Sequence, residues 1–157
     1  MGFAFYFFVS WLIIVIFTLM KKSLSFVENS FIILLLLIIS INFSWVTSAE
    51  LNLIDISTKP LNYTAFMLNR SINLPFIIIV ALNLIKSVPS TGRAVLISVC
   101  SIVALVFLAR LGSTFDITNR EKWNIMNDLI YVVLLHLIAY FSLKFLRKIK
   151  QSEAISR

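Results

Sequence analysis

The sequence predicts an all-α protein, a polytopic transmembrane helical bundle of five spans with its N-terminus outside and its C-terminus inside. Three observations carry this. Hydrophobic residues make up 60% of the 157 positions and charged residues 13%, about half the charge of a soluble domain. The apolar residues gather in long uncharged blocks, which a lipid-facing helix requires. The lysines and arginines, behind a net charge of +7, stand between and after these blocks, where they retain helix ends at the cytoplasmic face. That placement also argues against a nucleic-acid surface, so the expected partner is the lipid bilayer. One integral-membrane domain is expected over residues 1–157.

The first span is read at residues 3–20, closed by Lys21 and Lys22. No basic n-region precedes it and no small-x-small site follows before Lys21, so it is expected to stay uncleaved. The second is read at 31–47, with Asn29 and Ser30 as its helix start. The fourth is read at 94–111 and the fifth at 129–145. Each holds about 17 or 18 apolar residues and, with flanking turns, reaches across roughly 30 Å of hydrocarbon.

The third span is the difficult one. Its unbroken apolar run extends only from Pro75 to Ile85, with Asn83 inside it, and a crossing helix needs about 20 mostly apolar residues. The preceding segment holds Phe66, Met67, Leu68, Ile72 and Leu74 and neither glycine nor proline. A helix over 63–87 is therefore expected, kinked where Pro75 frees a carbonyl near Ser71. Arg70 is expected to reach the headgroups of one surface. A re-entrant hairpin would need a tight turn, and the block has no glycine for one.

Charge supports an odd number of crossings. Five spans with the N-terminus outside place nine lysines and arginines inside and five outside. Four spans give the same totals. The first span decides, because Lys21 and Lys22 directly follow it and belong inside, as does the basic tail. Five spans do not divide into equal halves, which counts against an inverted-repeat transporter.

No acidic or basic residue is expected near a span centre, where ion-coupled carriers usually keep one. His136 lies near the middle of the fifth span, with Tyr140 one turn later on the same face. It reads either as a titratable imidazole or as a neutral partner to a neighbouring helix. Without a second ligand it makes a poor metal site. Cys100 with His136 would be the minimum for thiol chemistry, although cysteine is an ordinary packing residue in a span.

On the third helix Asn62, Asn69, Asn73 and Asn83 fall within about 80° of one another on a regular helical wheel. They read as one wall of a polar groove or as interhelical hydrogen bonds. The candidate binding set is Asn69, Asn73, Asn83, His136 and Tyr140. Ser40, Ser44, Thr47 and Ser48 on the second helix, and Ala94, Ser98, Ser101 and Ala104 on the fourth, form small-residue faces. These suit close packing within the chain or against a partner. Asp116, Arg120, Glu121 and Lys122 are expected in solvent, with Trp123 as an interfacial anchor and residues 51–62 along the outer surface. The tail from Lys144 is expected to attract anionic lipid.

A charged, tryptophan-bearing loop, a histidine-bearing span and a basic tail occur in succession over residues 119–150. This layout resembles small, uncharacterised five-span membrane proteins of spore-forming bacteria. The resemblance implies a bacterial cytoplasmic membrane and no particular activity. No P-loop, dinucleotide fingerprint, HExxH or nucleophile elbow is present.

The function expected is that of a non-catalytic accessory, regulatory or immunity-type subunit, without cofactor or metal. It would act by helix packing with a membrane-protein partner or with further copies of itself. A small oligomeric transporter or channel with an asparagine-lined groove, and an intramembrane enzyme using His136, are the alternatives.

Overall fold

The computed structural model describes residues 1–155, with side chains as far as residue 152. Five helices, each long and apolar enough to cross a membrane, account for nearly all of it: α1 (Gly2–Leu19), α2 (Phe26–Glu50), α3 (Pro60–Ser87), α4 (Thr91–Thr114) and α5 (Ile125–Ile155). Two short strands, β1 (Asp55–Ile56) and β2 (Thr118–Asn119), pair antiparallel and join the α2–α3 and α4–α5 connections. This apolar, all-helical architecture is that of a multi-pass membrane protein.

The helices alternate in direction. Gly2 abuts Phe115 and Ile117 just past the end of α4. Glu28 at the start of α2 meets Arg147 near the end of α5, and Asn83 near the end of α3 bonds the chain at Ser23 and Leu24. One end of the bundle, the strand end, therefore carries β1, β2 and the first residue. The other, the tail end, carries Glu28, Ser87 and Arg147.

The third helix, whose apolar run is shortest, is the central one. Forty-four per cent of its span is buried, against 17–22% for the others, and Ile78, Ile79 and Leu82 meet Ile32, Leu36, Leu105, Leu135 and Leu143 in the main core. A central helix buries its polar side chains against neighbours, so it tolerates Asn73 and Asn83, both fully buried. The outer helices meet core on one side and lipid on the other, and so are apolar all round.

Pro75 is accommodated by a wide turn. Residues Asn69–Asn73 form one π turn, in which the Leu74 N–H bonds the Asn69 carbonyl. The extra residue opens the helix just where the proline ring would meet the carbonyl of Ser71. A second π turn, Val46–Glu50, ends α2.

One helix boundary needs correction. Helix α2 begins at Phe26, one turn before Asn29. Ser25 accepts from the Glu28 N–H, and the Glu28 carboxylate accepts from the Ser25 N–H at 2.7 Å, a capping box. Asn29 is buried instead and donates to the Leu24 and Ser25 carbonyls. In the connection before α3 and at its start, Leu51, Asn52 and residues 58–61 are exposed, Ile54 is buried, and the Ser57 N–H donates to the Ile117 carbonyl.

Candidate functional site

The polar residues called from the sequence do not meet in one groove. Asn83 is saturated: its amide oxygen accepts the Ser23 and Leu24 N–H groups, each at 3.0 Å, and its amide nitrogen donates to Asn29 Oδ1 and the Ile79 carbonyl. Asn73 accepts from Ser10 Oγ at 2.9 Å, fastening α3 to α1. Asn62 donates to the Asp116 carbonyl at the strand end. His136 shares a 2.7 Å hydrogen bond with Ser101 Oγ between α4 and α5, and its Nδ1 lies 2.8 Å from the Val132 carbonyl. Tyr140 is exposed beneath the Lys86 ammonium. Cys100 is exposed and distant in the chain from any second ligand. The π turn explains the dispersal, because one extra residue turns everything beyond it by about 100°. A regular helical wheel therefore misplaces Asn83 relative to Asn62 and Asn69.

Asn69 Oδ1 accepts a long hydrogen bond from Asn73 Nδ2 at 3.5 Å and also lines the wall of a chamber in the strand half of the bundle. The chamber has a cavity of about 70 Å³, room for several waters or a small charged group. Each wall follows from local structure. The last turns of α2 supply Ser44, Thr47 and Ser48, so this small-residue face looks into the chain's own interior. The chain between α2 and α3 supplies Ile54 and Ile56, held down by the β1–β2 pairing. The π turn presents Asn69 and Arg70, α4 gives Leu105 and Ala109, and the start of α5 gives Asp128 and Tyr131.

The charged floor is the unexpected element. Asp128 has a side chain only 5% exposed and gathers three donors. Arg120 Nη1 donates to Oδ1 at 2.6 Å and Trp123 Nε1 donates to the same oxygen at 2.8 Å. Arg110 Nε stands 2.9 Å from Oδ2, an ion pair by distance though not aligned as a hydrogen bond. Arg110 also donates to the Trp123 carbonyl. Burial pulls the Arg120 guanidinium below its ordinary range, Asp128 draws it back up, and the like charge of Arg110 opposes that. Arg120 and Trp123 are thus not solvated and interfacial as expected; each is drawn inward by one carboxylate. Asp116, Glu121 and Lys122 do remain exposed.

Across the chamber from this cluster is Arg70. It is half-buried. It lies ten residues into α3, about 15 Å along the helix, and its contacts are weak ones. Nη2 meets the Met67 sulfur at 3.0 Å, the guanidinium lies 5.4 Å from the Phe66 ring centroid, and Nε is buried without a partner. Arg70 and Arg120 thus line the chamber with one carboxylate, which Arg110 also meets from outside the lining. The chamber can hold an anion and has spare N–H donors to bind it.

Two signals for this site were present in the sequence: Asp128 and Trp123 five residues apart at a helix start, and Arg70 too far from the loop to be its terminus. The strand pairing that holds Ile54 and Ile56 against the chamber gives no sequence signal. Among protein families, curated proteins and solved structures, none matches this chain.

Proposed function

We propose that the chain is a non-catalytic five-pass protein of a bacterial cytoplasmic membrane, an accessory component that recognises an anionic group in its strand-end chamber. The observation that carries this is Arg70. A guanidinium held among apolar side chains with a thioether and a ring for company is costly, and an arriving anion would compensate it. Charge supports the orientation. The tail end carries Lys21, Lys22, Lys86, Arg93, Lys144, Arg147, Lys148 and Lys150 with Glu28 as their acidic neighbour, whereas acids match bases at the strand end. The positive-inside rule turns the tail end inward, so the chamber belongs to the outer half of the bilayer. The termini then lie on opposite sides, as an odd number of crossings requires.

Two measurements test this reading. Tags at the two ends of the chain, probed in intact cells, should report different compartments. In detergent, inorganic phosphate should raise the thermal stability of the purified protein and should not do so in Arg70→Gln. Equal behaviour of the two proteins would refute the chamber as an anion site.

A further inference from the structure

A groove on the bundle's outer surface adjoins the chamber. It runs between α2 and α5, has a volume of about 340 Å³, and is lined by Ile39, Ile130, Leu134, Leu135 and Ile138, with Asn127 at one end. From Asn127 to Ile138 is eleven residues, about 16 Å of helix. Phe43, Trp123 and Tyr131 belong to both the groove and the chamber. They form the partition between them: Phe43 stacks on Tyr131 at 3.9 Å, with an interplanar angle of 10°, and meets Trp123 edge-on at 5.9 Å.

We infer that chamber and groove are two halves of one site for a membrane lipid with a net-anionic phosphate headgroup. The headgroup lies between Arg70 and Arg120, and one hydrocarbon chain lies in the α2–α5 groove. The inference rests on the anion reading of the chamber and adds the class of ligand and its route. Two features select this occupant. The charge excess sits at the polar end of an otherwise hydrocarbon-lined path, so charge and apolar surface follow the order of an amphiphile entering from the outer half of the bilayer. The path opens sideways to lipid, and the three shared aromatic side chains are what a headgroup must pass. A free phosphate would have no use for the groove. A partner helix would cover the groove but supply nothing for Arg70.

The test uses the full-length protein in nanodiscs with two probes of equal chain length. One is a phosphatidic acid and the other a phosphatidylcholine, each with a diazirine at mid-chain. Photolysis and peptide mapping should place the phosphatidic acid adducts on Ile39, Leu134 and Ile138, in excess over phosphatidylcholine. Arg70→Gln should reduce them about tenfold, as expected for loss of a charge-assisted contact. Arg70→Lys should restore part of the labelling. Leu134→Trp, at an exposed position, should fill the groove and move the adducts elsewhere while phosphate still protects the protein in detergent. Adducts spread evenly round the bundle, or equal labelling by both lipids, would overturn the lipid site. If phosphate protection persists with that result, the ligand is a soluble anion and only this inference fails. If phosphate protection is also absent, the chamber reading fails with it.

Discussion

Asp128→Asn tests whether the charged floor of the chamber holds the strand end together. The substitution keeps the shape of the side chain and one acceptor oxygen, so the Trp123 indole can retain its bond. What disappears is the negative charge facing Arg120 at 2.6 Å and Arg110 at 2.9 Å. Arg120 has a side chain 11% exposed and cannot turn to water without breaking the strand end; Arg110, at 31%, can do so in part. Breaking a buried pair by removing one partner typically costs 3–5 kcal/mol. Because Arg110 can relax outward, about 3 kcal/mol is expected. The assay is equilibrium denaturation of the purified protein in detergent micelles, followed by the combined fluorescence of Trp11, Trp45 and Trp123 and by helix content. Arg147→Gln is the internal standard. It breaks the tail-end pair with Glu28, in which Arg147 is 38% exposed and Glu28 7%; the carboxylate keeps its bond from the Ser25 N–H, so a smaller loss of about 1–2 kcal/mol is expected. Adding Arg120→Gln to Asp128→Asn should recover part of the loss, since it removes a stranded charge. The reasoning is refuted if Asp128→Asn costs no more than Arg147→Gln, or if the double variant is as unstable as the sum of its singles.

The remaining predictions concern packing. Asn83→Leu strands the Ser23 and Leu24 N–H groups and should cost about 2–3 kcal/mol by the same denaturation; an unchanged midpoint would contradict the bonding described for the α1–α2 connection. Gly2→Ala places a methyl 2.9 Å from Phe115 Cβ, a rigid neighbour, so a loss of about 1–3 kcal/mol from displaced packing is expected, with α1 amides at the strand end exchanging faster. Ser101→Ala leaves His136 Nε2 without its partner, and a loss of about 1 kcal/mol is expected; a Ser101→Ala, His136→Phe double variant that is no worse than the single would identify this contact as structural. Ser25→Ala removes half of the capping box and should cost about 1 kcal/mol, read as fraying at the start of α2.

The spans were legible because each depends on chain length and local hydropathy, which a sequence displays directly. Even the third was legible, since Phe66, Met67 and Leu74 extend a run that is too short from Pro75 onward. Its central place was not, because burial of Asn73 and Asn83 depends on Ser10 and Ser23, some 60 positions away. The start of α2 was missed although Ser25 and Glu28 stand at capping-box spacing, because hydropathy alone placed the boundary at the first apolar block. The chamber was least legible. Its floor joins residue 128 to residues 110 and 120 across the α4–α5 connection, and one wall is held by a two-residue strand pairing that has no period to detect. Loop arginines read in isolation look solvated; only the fold shows that one carboxylate draws them in.

The π turn in α3 makes that helix a rod cut in two and rejoined out of phase. Taking out one residue, Ser71 or Ile72, would let the two pieces resume a common winding. The Pro60 half would then swivel by about 100° against the Pro75 half. Arg70 would be carried off the chamber wall, while Asn83 would keep its grip on the opposite end. A single-codon deletion would thus disarm one half of the molecule mechanically and leave the other as an undisturbed reference.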